Sequence, residues 1–388
     1  MLWNWQQPDW PHFRWDAHRL QKAEHAFLVG GGLVLGKVES LTPANAESVL
    51  VETVVAEALT TSEIEGELLD RDSVQSSIRR QLGLTTDARK AKPAEAGIAE
   101  LMVNLYRNAL GPLDHETLFD WHRMVTRGRT DLRDVGCYRM HPEPMQVVSG
   151  KIYDPKVHFE APPSDEVPPE MDRFVAWFNR TAPQGDEPLP ALTRAGLAHL
   201  YFVCIHPFED GNGRVGRAIA EKALTQALGR PTLTALAATI LLHRNEYYDQ
   251  LESANKQNEV SDWLAWFAGI TLEAQHRTQA QVQFTLEKTR LLDRLRDQLN
   301  DRQEKALLRM LREGPDGFKG GLSASNYRAI TGTPTATATR DLADLVEKGA
   351  VTRTGEKKHT RYHLAMTTPP CASFAISKSG ELTMSKTE

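Results

Sequence analysis

One uninterrupted stretch of twelve residues constrains this chain of 388 residues more than any other feature. It reads His-Pro-Phe-Glu-Asp-Gly-Asn-Gly-Arg-Val-Gly-Arg over 206–217, and it follows an apolar run from Leu197 to Ile205 that is typical of a buried helix. The stretch combines an imidazole, carboxylates, a glycine-flanked turn and two guanidinium groups. This combination predicts a site that handles the phosphates of a nucleotide.

The turn and the arginines that follow it predict a phosphate-binding surface. Gly211, Asn212 and Gly213 expose consecutive backbone amides at the start of a helical pattern, and such a helix N-terminus favours anions. Arg214 and Arg217 are three residues apart, so they share a helix face and can each bind phosphoryl oxygens through two N–H groups. We therefore expect these residues to bind phosphate groups.

Two further side chains of the stretch suggest catalytic roles. Asp210 precedes the turn, where a hard carboxylate oxygen can bind a Mg²⁺ ion that bridges phosphates. His206 can accept a proton near neutral pH, because the unperturbed pKa of imidazole lies close to it. A structural histidine and an ordinary turn are the alternatives for the residues taken singly, but the complete set in one short run argues against coincidence.

The stretch also carries a resemblance to a known family. It matches the pattern H-x-F-x-[DE]-G-N-G-R-x-x-R at every specified position, and the chain thereby resembles the Fic (Fido) family of protein nucleotidyltransferases. The resemblance implies a mainly helical catalytic domain with a small β-hairpin, the flap. It also implies transfer of AMP from ATP to a Ser, Thr or Tyr hydroxyl of a target protein.

The resemblance assigns a role to each matched residue. His206 would deprotonate the attacking hydroxyl, and Asp210 would bind Mg²⁺ between the α- and β-phosphates. The turn 211–213 would cradle the phosphates. Arg214 would hold the β-phosphate side and Arg217 the γ-phosphate, so that pyrophosphate leaves in line. ATP is then the substrate and Mg²⁺ the metal cofactor.

A second segment resembles the inhibitory helix that many Fic proteins carry. Residues 61–66, Thr-Ser-Glu-Ile-Glu-Gly, fit the pattern [ST]-x-x-x-E-[GN]. The resemblance implies that Glu65 pairs with Arg217 and occupies the place of the γ-phosphate, within an inhibitory helix at about 57–70. A solvated helix face is the alternative reading of these acidic residues. The sequence leaves open whether the pair forms within one chain or between the chains of a homodimer.

Two more segments fit the same resemblance. Residues 244–255 resemble the Fic segment that borders the adenine, which makes Tyr248 and Asn255 candidates for base contacts. An amphipathic helix with a purely structural role is the alternative. Residues 145–162 alternate as a β-hairpin does around a predicted turn at 149–151, and they resemble the flap. A plain surface hairpin is the alternative there.

The region near the C-terminus suggests a different class of function. A helix from about Ser323, a Thr-Gly-Thr-Pro turn, a second helix over 335–348 and two strands over 351–364 resemble a winged helix. Residues 317–366 hold eight Lys or Arg against four Asp or Glu, which permits DNA contact. The candidates for phosphate contact are Arg340, Lys357, Lys358 and Arg361. Docking of a protein and dimerisation are the alternatives.

Composition limits the classes of function and the cellular location that the chain can have. A net charge of −5 argues against a surface that coats nucleic acid generally. The three cysteines, Cys137, Cys204 and Cys371, lack the spacing of a metal site or a disulfide framework, which favours a reducing cytoplasm. No apolar run approaches the roughly 18 residues that a membrane span needs, and no signal peptide is recognisable. We expect neither membrane spanning nor secretion.

These observations predict a mainly α chain of five segments. They are an N-terminal helical region over 1–111, a Fic catalytic domain over 112–272, a helical linker over 273–300, a winged-helix domain over 301–366 and a disordered tail over 367–388. Four tryptophans within the first fifteen residues resemble an N-terminal extension that packs on the catalytic core. Three functions stay open: an autoinhibited AMP transferase, a Fic relative that removes AMP or transfers another phosphate-bearing group, and a winged-helix DNA-binding regulator.

Overall fold

The computed structural model is mainly helical, which confirms the mainly α part of the predicted fold class. It describes residues 2–86, 89–151, 154–230, 234–314, 318, 320–366 and 372–386. The helices are α1 Ala17–Glu39, α2 Pro43–Ile64, α3 Arg71–Gln81, α4 Pro93–Asn108, α5 His115–Val125, α6 Val167–Arg180, α7 Ala191–Ile205, α8 Asn212–Leu228, α9 Leu236–Leu242, α10 Arg244–Ala254, α11 Ser261–Arg294, α12 Asp301–Leu311, α13 Ala324–Thr331 and α14 Thr335–Glu347. The strands are β1 Gln146–Lys151, β2 Asp154–Glu160, β3 Val351–Thr354, β4 Arg361–Leu364, β5 Ala372–Ile376 and β6 Leu382–Lys386.

The chain divides into two compact units. The first comprises Met1–Leu35, Leu50–Thr278 and Ala372–Glu388, and the second comprises Gly36–Val49 and Gln279–Cys371. The N-terminal region and the predicted catalytic domain therefore fall largely within one unit. Among the residues that the structure describes, no helix is long and apolar enough to cross a membrane.

Helix α7 lies at the centre of the first unit because it is apolar on nearly every side, so it can only be stable when neighbours cover all of it. Helix α8 packs directly against it. The two helices approach closely at Gly216, where an added Cβ would lie 3.0 Å from Val203 Cγ1 and 3.1 Å from His199 Nδ1. A larger residue there would require these side chains to shift, so glycine favours the close packing of the twelve-residue stretch against the core.

The N-terminal tryptophans pack on the same core, as the resemblance implied. Trp3, Trp5, Trp10 and Trp15 are half-buried against it. The indole of Trp5 donates a hydrogen bond to the carbonyl of Glu160 at 2.7 Å, at the end of β2. This aromatic segment therefore ties the N-terminus to the hairpin β1–β2.

The hairpin itself extends further than predicted. Strands β1 and β2 are antiparallel, with an irregularity between Val147 and Val148. The predicted turn at 149–151 is corrected, because those residues lie in β1 and pair with 154–156. The alternating pattern continues through them, so β1 extends to Lys151.

The second unit includes α12, α13 and α14, followed by the two-stranded hairpin β3–β4. Its core includes Leu307, Tyr327, Leu342 and Tyr362, which come from α12, α13, α14 and β4. Gly332, at φ +71, ends α13 in the predicted Thr-Gly-Thr-Pro turn. The order of elements is the one that the sequence predicted for this region.

The predicted disordered tail requires a correction. Strands β5 and β6 form an antiparallel hairpin in the first unit. Phe374, Ile376 and Leu382 pack against the main hydrophobic core, and Arg19 donates a hydrogen bond to the carbonyl of Ser377 at 3.1 Å. The segment is polar overall, but it contains a short alternating pattern of apolar residues. Burial of these apolar side chains stabilises the hairpin. Cys371, by contrast, lies outside the described residues.

Candidate active site

The loop between α7 and α8 has a tightly fixed backbone. His206 directly follows α7 in the left-handed region at φ 51, and Gly211 directly precedes α8 at φ 84. The buried side chain of Asn212 accepts a hydrogen bond from the amide of Phe208 at 3.0 Å and donates one to its carbonyl at 2.7 Å. The side chain of Asn212 therefore stabilises the loop. A phosphate group would contact the backbone of Asn212 and not its side chain.

His206 is oriented to act as a base. Its Nδ1 lies 3.3 Å from the carbonyl of Val203, and because a carbonyl can only accept, Nδ1 carries the proton in this contact. The other ring nitrogen, Nε2, is then the proton acceptor. Burial lowers the pKa of His206 to about 4, so the imidazole is neutral at pH 7 and able to take a proton.

Arg139 anchors this histidine and was missed by the sequence reasoning. Its buried guanidinium donates to the carbonyl of His206 at 2.8 Å and to the carbonyl of Pro162 at 2.5 Å, just beyond β2. Burial lowers the pKa of Arg139 to about 10, so it remains charged at pH 7. One side chain therefore connects the base to the end of the hairpin and helps to hold the left-handed backbone at position 206.

The structure brings Glu65 and Arg217 together within one chain. The Oε1 of Glu65 lies 2.7 Å from Nη2 of Arg217, whose guanidinium also donates to the hydroxyl and the carbonyl of Thr61. The side chain of Arg217 is 4% exposed and that of Glu65 is 32% exposed. Helix α2 ends at Ile64, and Gly66 adopts φ +85, so Glu65 lies in the turn after α2 rather than inside a longer helix.

The first arginine of the pair has a carboxylate partner as well. Nη1 of Arg214 lies 2.9 Å from Oε2 of Glu67 and 3.1 Å from the carbonyl of Val125. The side chain of Arg214 is 6% exposed and that of Glu67 is 38% exposed. The turn after α2 therefore supplies a carboxylate to each of the two predicted phosphate-binding arginines.

Gly213 and the two guanidinium groups form a cradle that suits phosphate. A Cβ added at Gly213 would lie 2.9 Å from the carboxyl carbon of Glu65 and 3.2 Å from Nη1 of Arg217, so only glycine leaves room between them. Nε of Arg214 and Nη1 of Arg217 are buried and make no hydrogen bond within the described part of the chain. Buried unpaired donors on two cations are the chemistry that a phosphate group satisfies.

The carboxylate of Asp210 is in contact with a cation of the chain itself. It pairs with the guanidinium of Arg129, which also binds Asp131, and it lies 3.8 Å from Nη2 of Arg214. Its side chain is about one-third exposed. Within the described residues no three His, Cys, Asp or Glu side chains group as a metal site. A single accessible carboxylate still fits Mg²⁺, which commonly binds one or two carboxylates together with substrate phosphates.

The two candidates for base contacts lie in different surroundings. Tyr248 is exposed, and its hydroxyl donates to the carbonyl of Ile64 at 3.2 Å, beside Glu65. Asn255 is buried, and its side-chain oxygen accepts a hydrogen bond from the Cys204 thiol at 3.2 Å. The structure therefore brings Tyr248 to the turn that carries Glu65, and the role of both residues at a base stays a prediction.

Two parts of the chain match known domains. Residues 112–224, which include the whole stretch 206–217, match the Fic/DOC family. Residues 3–84, which include Glu65, match a domain of unknown function, DUF4172. Residues 112–224 are a Fic/DOC domain.

Similar proteins match a limited part of this chain. The "Protein adenylyltransferase Fic" of Culex quinquefasciatus is 33% identical over 101 residues, which cover 26% of this chain and 18% of that protein. The protein of the same name from Nematostella vectensis is 34% identical over 115 residues, which cover 28% of this chain and 25% of that protein. The matched region thus spans a quarter or less of these relatives.

Solved structures resemble this chain over more of its length. A Fic family protein from Desulfovibrio desulfuricans G20 has a TM-score of 0.52 and 20% identity, covering 91% of this chain and 98% of that chain. A Fic domain containing signaling protein from Bacteroides thetaiotaomicron VPI-5482 has a TM-score of 0.50 and 19% identity, covering 67% of this chain and 97% of that chain. At these identities the likeness shows the fold.

The residues that sequence reasoning missed lie outside the Fic motif. Glu67 is only two residues from Glu65, and its position beside a candidate inhibitory residue was the one signal that could have drawn attention to it. Arg129 and Arg139 flank the site from a segment without helical or strand periodicity. Nothing in their local sequence indicates that they contact Asp210 and His206.

Proposed function

We propose that the chain is a protein adenylyltransferase that transfers AMP from ATP to Ser, Thr or Tyr hydroxyls of target proteins and of itself. One observation carries the proposal: a neutral histidine, a glycine-flanked helix N-terminus and two buried arginines with unpaired donors meet in one loop and helix of a Fic protein. The names of the relatives from Culex and Nematostella support the same activity.

The proposed transfer uses the chain's own residues for positioning and proton transfer. Nε2 of His206 accepts the proton of the target hydroxyl while the hydroxyl oxygen forms a bond to the α-phosphorus. The bond between the α-phosphorus and the oxygen that bridges to the β-phosphate breaks, and pyrophosphate leaves. Arg214 and Arg217 offset the charge that develops on the leaving group, which is the main need of phosphoryl-type transfer.

Asp210 would hold the metal that such a reaction uses. Mg²⁺ bound there would neutralise charge on the phosphates of ATP. Arg129, whose guanidinium pairs with Asp210, would have to move aside for the ion to bind. The adenine would lie near Tyr248, which is exposed at the same side of the turn after α2.

The contact between Glu65 and Arg217 would inhibit the enzyme. With its carboxylate at 2.7 Å, Glu65 competes with the γ-phosphate for the same guanidinium. ATP would then bind without the alignment that in-line attack requires. Because both residues belong to one chain in this structure, the proposed inhibition acts within the chain.

The hairpin β1–β2 is the proposed docking edge for the target segment. Val148 is half-exposed, and Val147 and Val157 are also exposed. His158 of β2 lies 2.7 Å from the carboxylate of Glu252 on α10, which ties the hairpin to the rest of the unit. A strand of the target could add to this edge through main-chain hydrogen bonds, with little demand on its sequence.

Intact-mass measurement after incubation with ATP and Mg²⁺ tests the proposal. The Glu65→Gly variant should gain the mass of AMP faster than the wild-type chain, and the Glu65→Gly, His206→Ala double variant should gain none. Equal incorporation in wild type and Glu65→Gly would remove Glu65 from its role. If no variant transfers AMP but one releases AMP from a modified protein, the removal reaction replaces the proposed one.

For the second unit we propose a winged-helix module that docks protein. Helices α12 to α14 and the hairpin β3–β4 follow the order of that fold. Of the four candidate cations, Arg340 and Lys357 are exposed, Arg361 is half-buried, and the side chain of Lys358 lies outside the described part of the chain, whereas firm DNA binding needs several phosphate contacts. Binding of the chain to a DNA duplex at near-physiological salt, measured by gel shift, would overturn this preference and restore the regulator hypothesis.

A further inference from the structure

The carboxylate on Arg214 sets this chain apart from the inhibitory arrangement predicted from sequence. That arrangement involves one glutamate and the second arginine of the stretch. In the structure Glu67 lies 2.9 Å from Nη1 of Arg214, at the same time as Glu65 contacts Arg217. Two carboxylates from one turn therefore neutralise two nearly fully buried guanidinium groups.

We propose that Glu67 is a second inhibitory residue, which competes with the β-phosphate of the nucleotide for Arg214. The inference rests on the proposed function, in which Arg214 holds the β-phosphate side and Arg217 the γ-phosphate. Glu65 opposes nucleotides that carry a γ-phosphate. Glu67 opposes every nucleotide that carries a β-phosphate, including ADP.

The surroundings of Arg214 explain why only an anion can take the place of Glu67. With a side chain that is 6% exposed, Arg214 would keep little contact with water after Glu67 leaves. A buried cation without a partner is strongly disfavoured, so the carboxylate leaves only when another anion arrives. Asp210, at 3.8 Å, is the other carboxylate near this guanidinium, and it is paired with Arg129.

The turn after α2 is built to hold both carboxylates in place. The amide of Glu67 donates to the carbonyl of Ser62 at 3.0 Å, and the amide of Gly66 donates to the carbonyl of Glu63 at 2.9 Å. The carbonyl of Ile64 accepts hydrogen bonds from Arg244 at 3.0 Å and from Tyr248 at 3.2 Å. Glu67 is therefore part of an ordered turn and not of a free loop.

The end of α2 offers a matched control. Glu63 is exposed, and its side chain makes no hydrogen bond or ion pair within the described part of the chain. Changing Glu63 to Gln removes the same charge close to the turn without touching either arginine. Any effect of net charge alone will therefore appear in Glu63→Gln as well.

Calorimetric titrations with ATP, ADP and AMP in Mg²⁺ buffer separate the two carboxylates. Glu67→Gln should bind ADP and ATP on the order of fivefold more tightly than the wild type, the size expected for one partly screened charged contact, with AMP unchanged. Glu65→Gln should tighten ATP more than ADP. Glu63→Gln should match the wild type for all three nucleotides.

The inference is overturned if Glu67→Gln and Glu63→Gln bind ADP equally while Glu65→Gln binds ATP more tightly than the wild type. That result would leave the proposed function standing. Failure of the double variant Glu65→Gln, Glu67→Gln to take up ATP at all would instead remove the proposed function. Should the melting temperature of Glu67→Gln show misfolding, Glu67→Ala provides the same ADP comparison, because truncating a side chain that is 38% exposed leaves no enclosed cavity.

Discussion

Replacing Gly213 by alanine is expected to destabilise the first unit only while Glu65 is present. The added Cβ would lie 2.9 Å from the carboxyl carbon of Glu65, closer than such atoms approach in folded proteins. Glu65 is the flexible partner in this clash, so its carboxylate moves and its 2.7 Å contact with Arg217 is lost. The destabilisation therefore reports the strength of the inhibitory contact.

The size of the effect follows from the burial of the two partners. A hydrogen bond to a charged group contributes about 1.5–3 kcal/mol, and solvent at the partly exposed Glu65 reduces this to about 1–2 kcal/mol. In a Glu65→Ala background the clash with the carboxylate is gone. Alanine is favoured over glycine in a helix by up to about 1 kcal/mol, so Gly213→Ala should there be neutral or stabilising.

Urea unfolding of the four proteins in this double-mutant cycle measures the effect. All eight tryptophans lie in the first unit, so tryptophan fluorescence follows that unit alone. We expect a coupling free energy of about 1–3 kcal/mol between positions 65 and 213. If Gly213→Ala changes the free energy of unfolding by the same amount in both backgrounds, Glu65 does not lie over the cradle and the reasoning is refuted.

Two further predictions concern the charges around the site. The change Arg129→Ala, made in the Glu65→Gly protein, removes the guanidinium that competes with Mg²⁺ for Asp210. Calorimetry should then show half-maximal ATP uptake at a lower Mg²⁺ concentration. An unchanged or higher Mg²⁺ concentration would contradict this. The first unit should also lose stability as the pH falls from about 6.5 towards 4. Burial lowers the pKa of His122 and of His199 to about 4 in the folded chain. The same histidines bind protons at a higher pH in the unfolded chain, so acid favours unfolding. By pH 5, each histidine should lower the free energy of unfolding by about 2 kcal/mol. The urea midpoint of His199→Gln should therefore depend less on pH than that of the wild type. An equal pH dependence in the two proteins would contradict this prediction.

The sequence predicts those parts of the site whose residues are close together along the chain. The loop from His206 to Arg217 carries its own turn, helix start and charges, so its local structure follows from the residues themselves. The contact of Glu65 with Arg217 bridges 152 positions, and it was predicted only through a family resemblance. In the structure the two side chains are in contact, and Glu65 lies after α2 rather than inside a helix.

The parts that the sequence does not predict depend on tertiary contacts without a local pattern. Arg139 reaches His206 across 67 positions, and Arg129 reaches Asp210 across 81 positions, both from an irregular segment. The hairpin β5–β6 is polar enough to suggest disorder. It is ordered because a few of its apolar side chains pack against the hydrophobic core. Periodicity and composition describe local preference, and neither specifies such partners.

Titration of the Glu65→Gly protein with ATP in the presence of Mg²⁺, followed by calorimetry, tests the central claim most directly. The claim is that the loop between α7 and α8 and the two buried arginines bind the triphosphate. It predicts saturable ATP uptake by Glu65→Gly that is strongly weakened by the additional change Arg217→Ala. Absence of ATP uptake by folded Glu65→Gly protein, or uptake that does not respond to Arg217→Ala, would contradict the account.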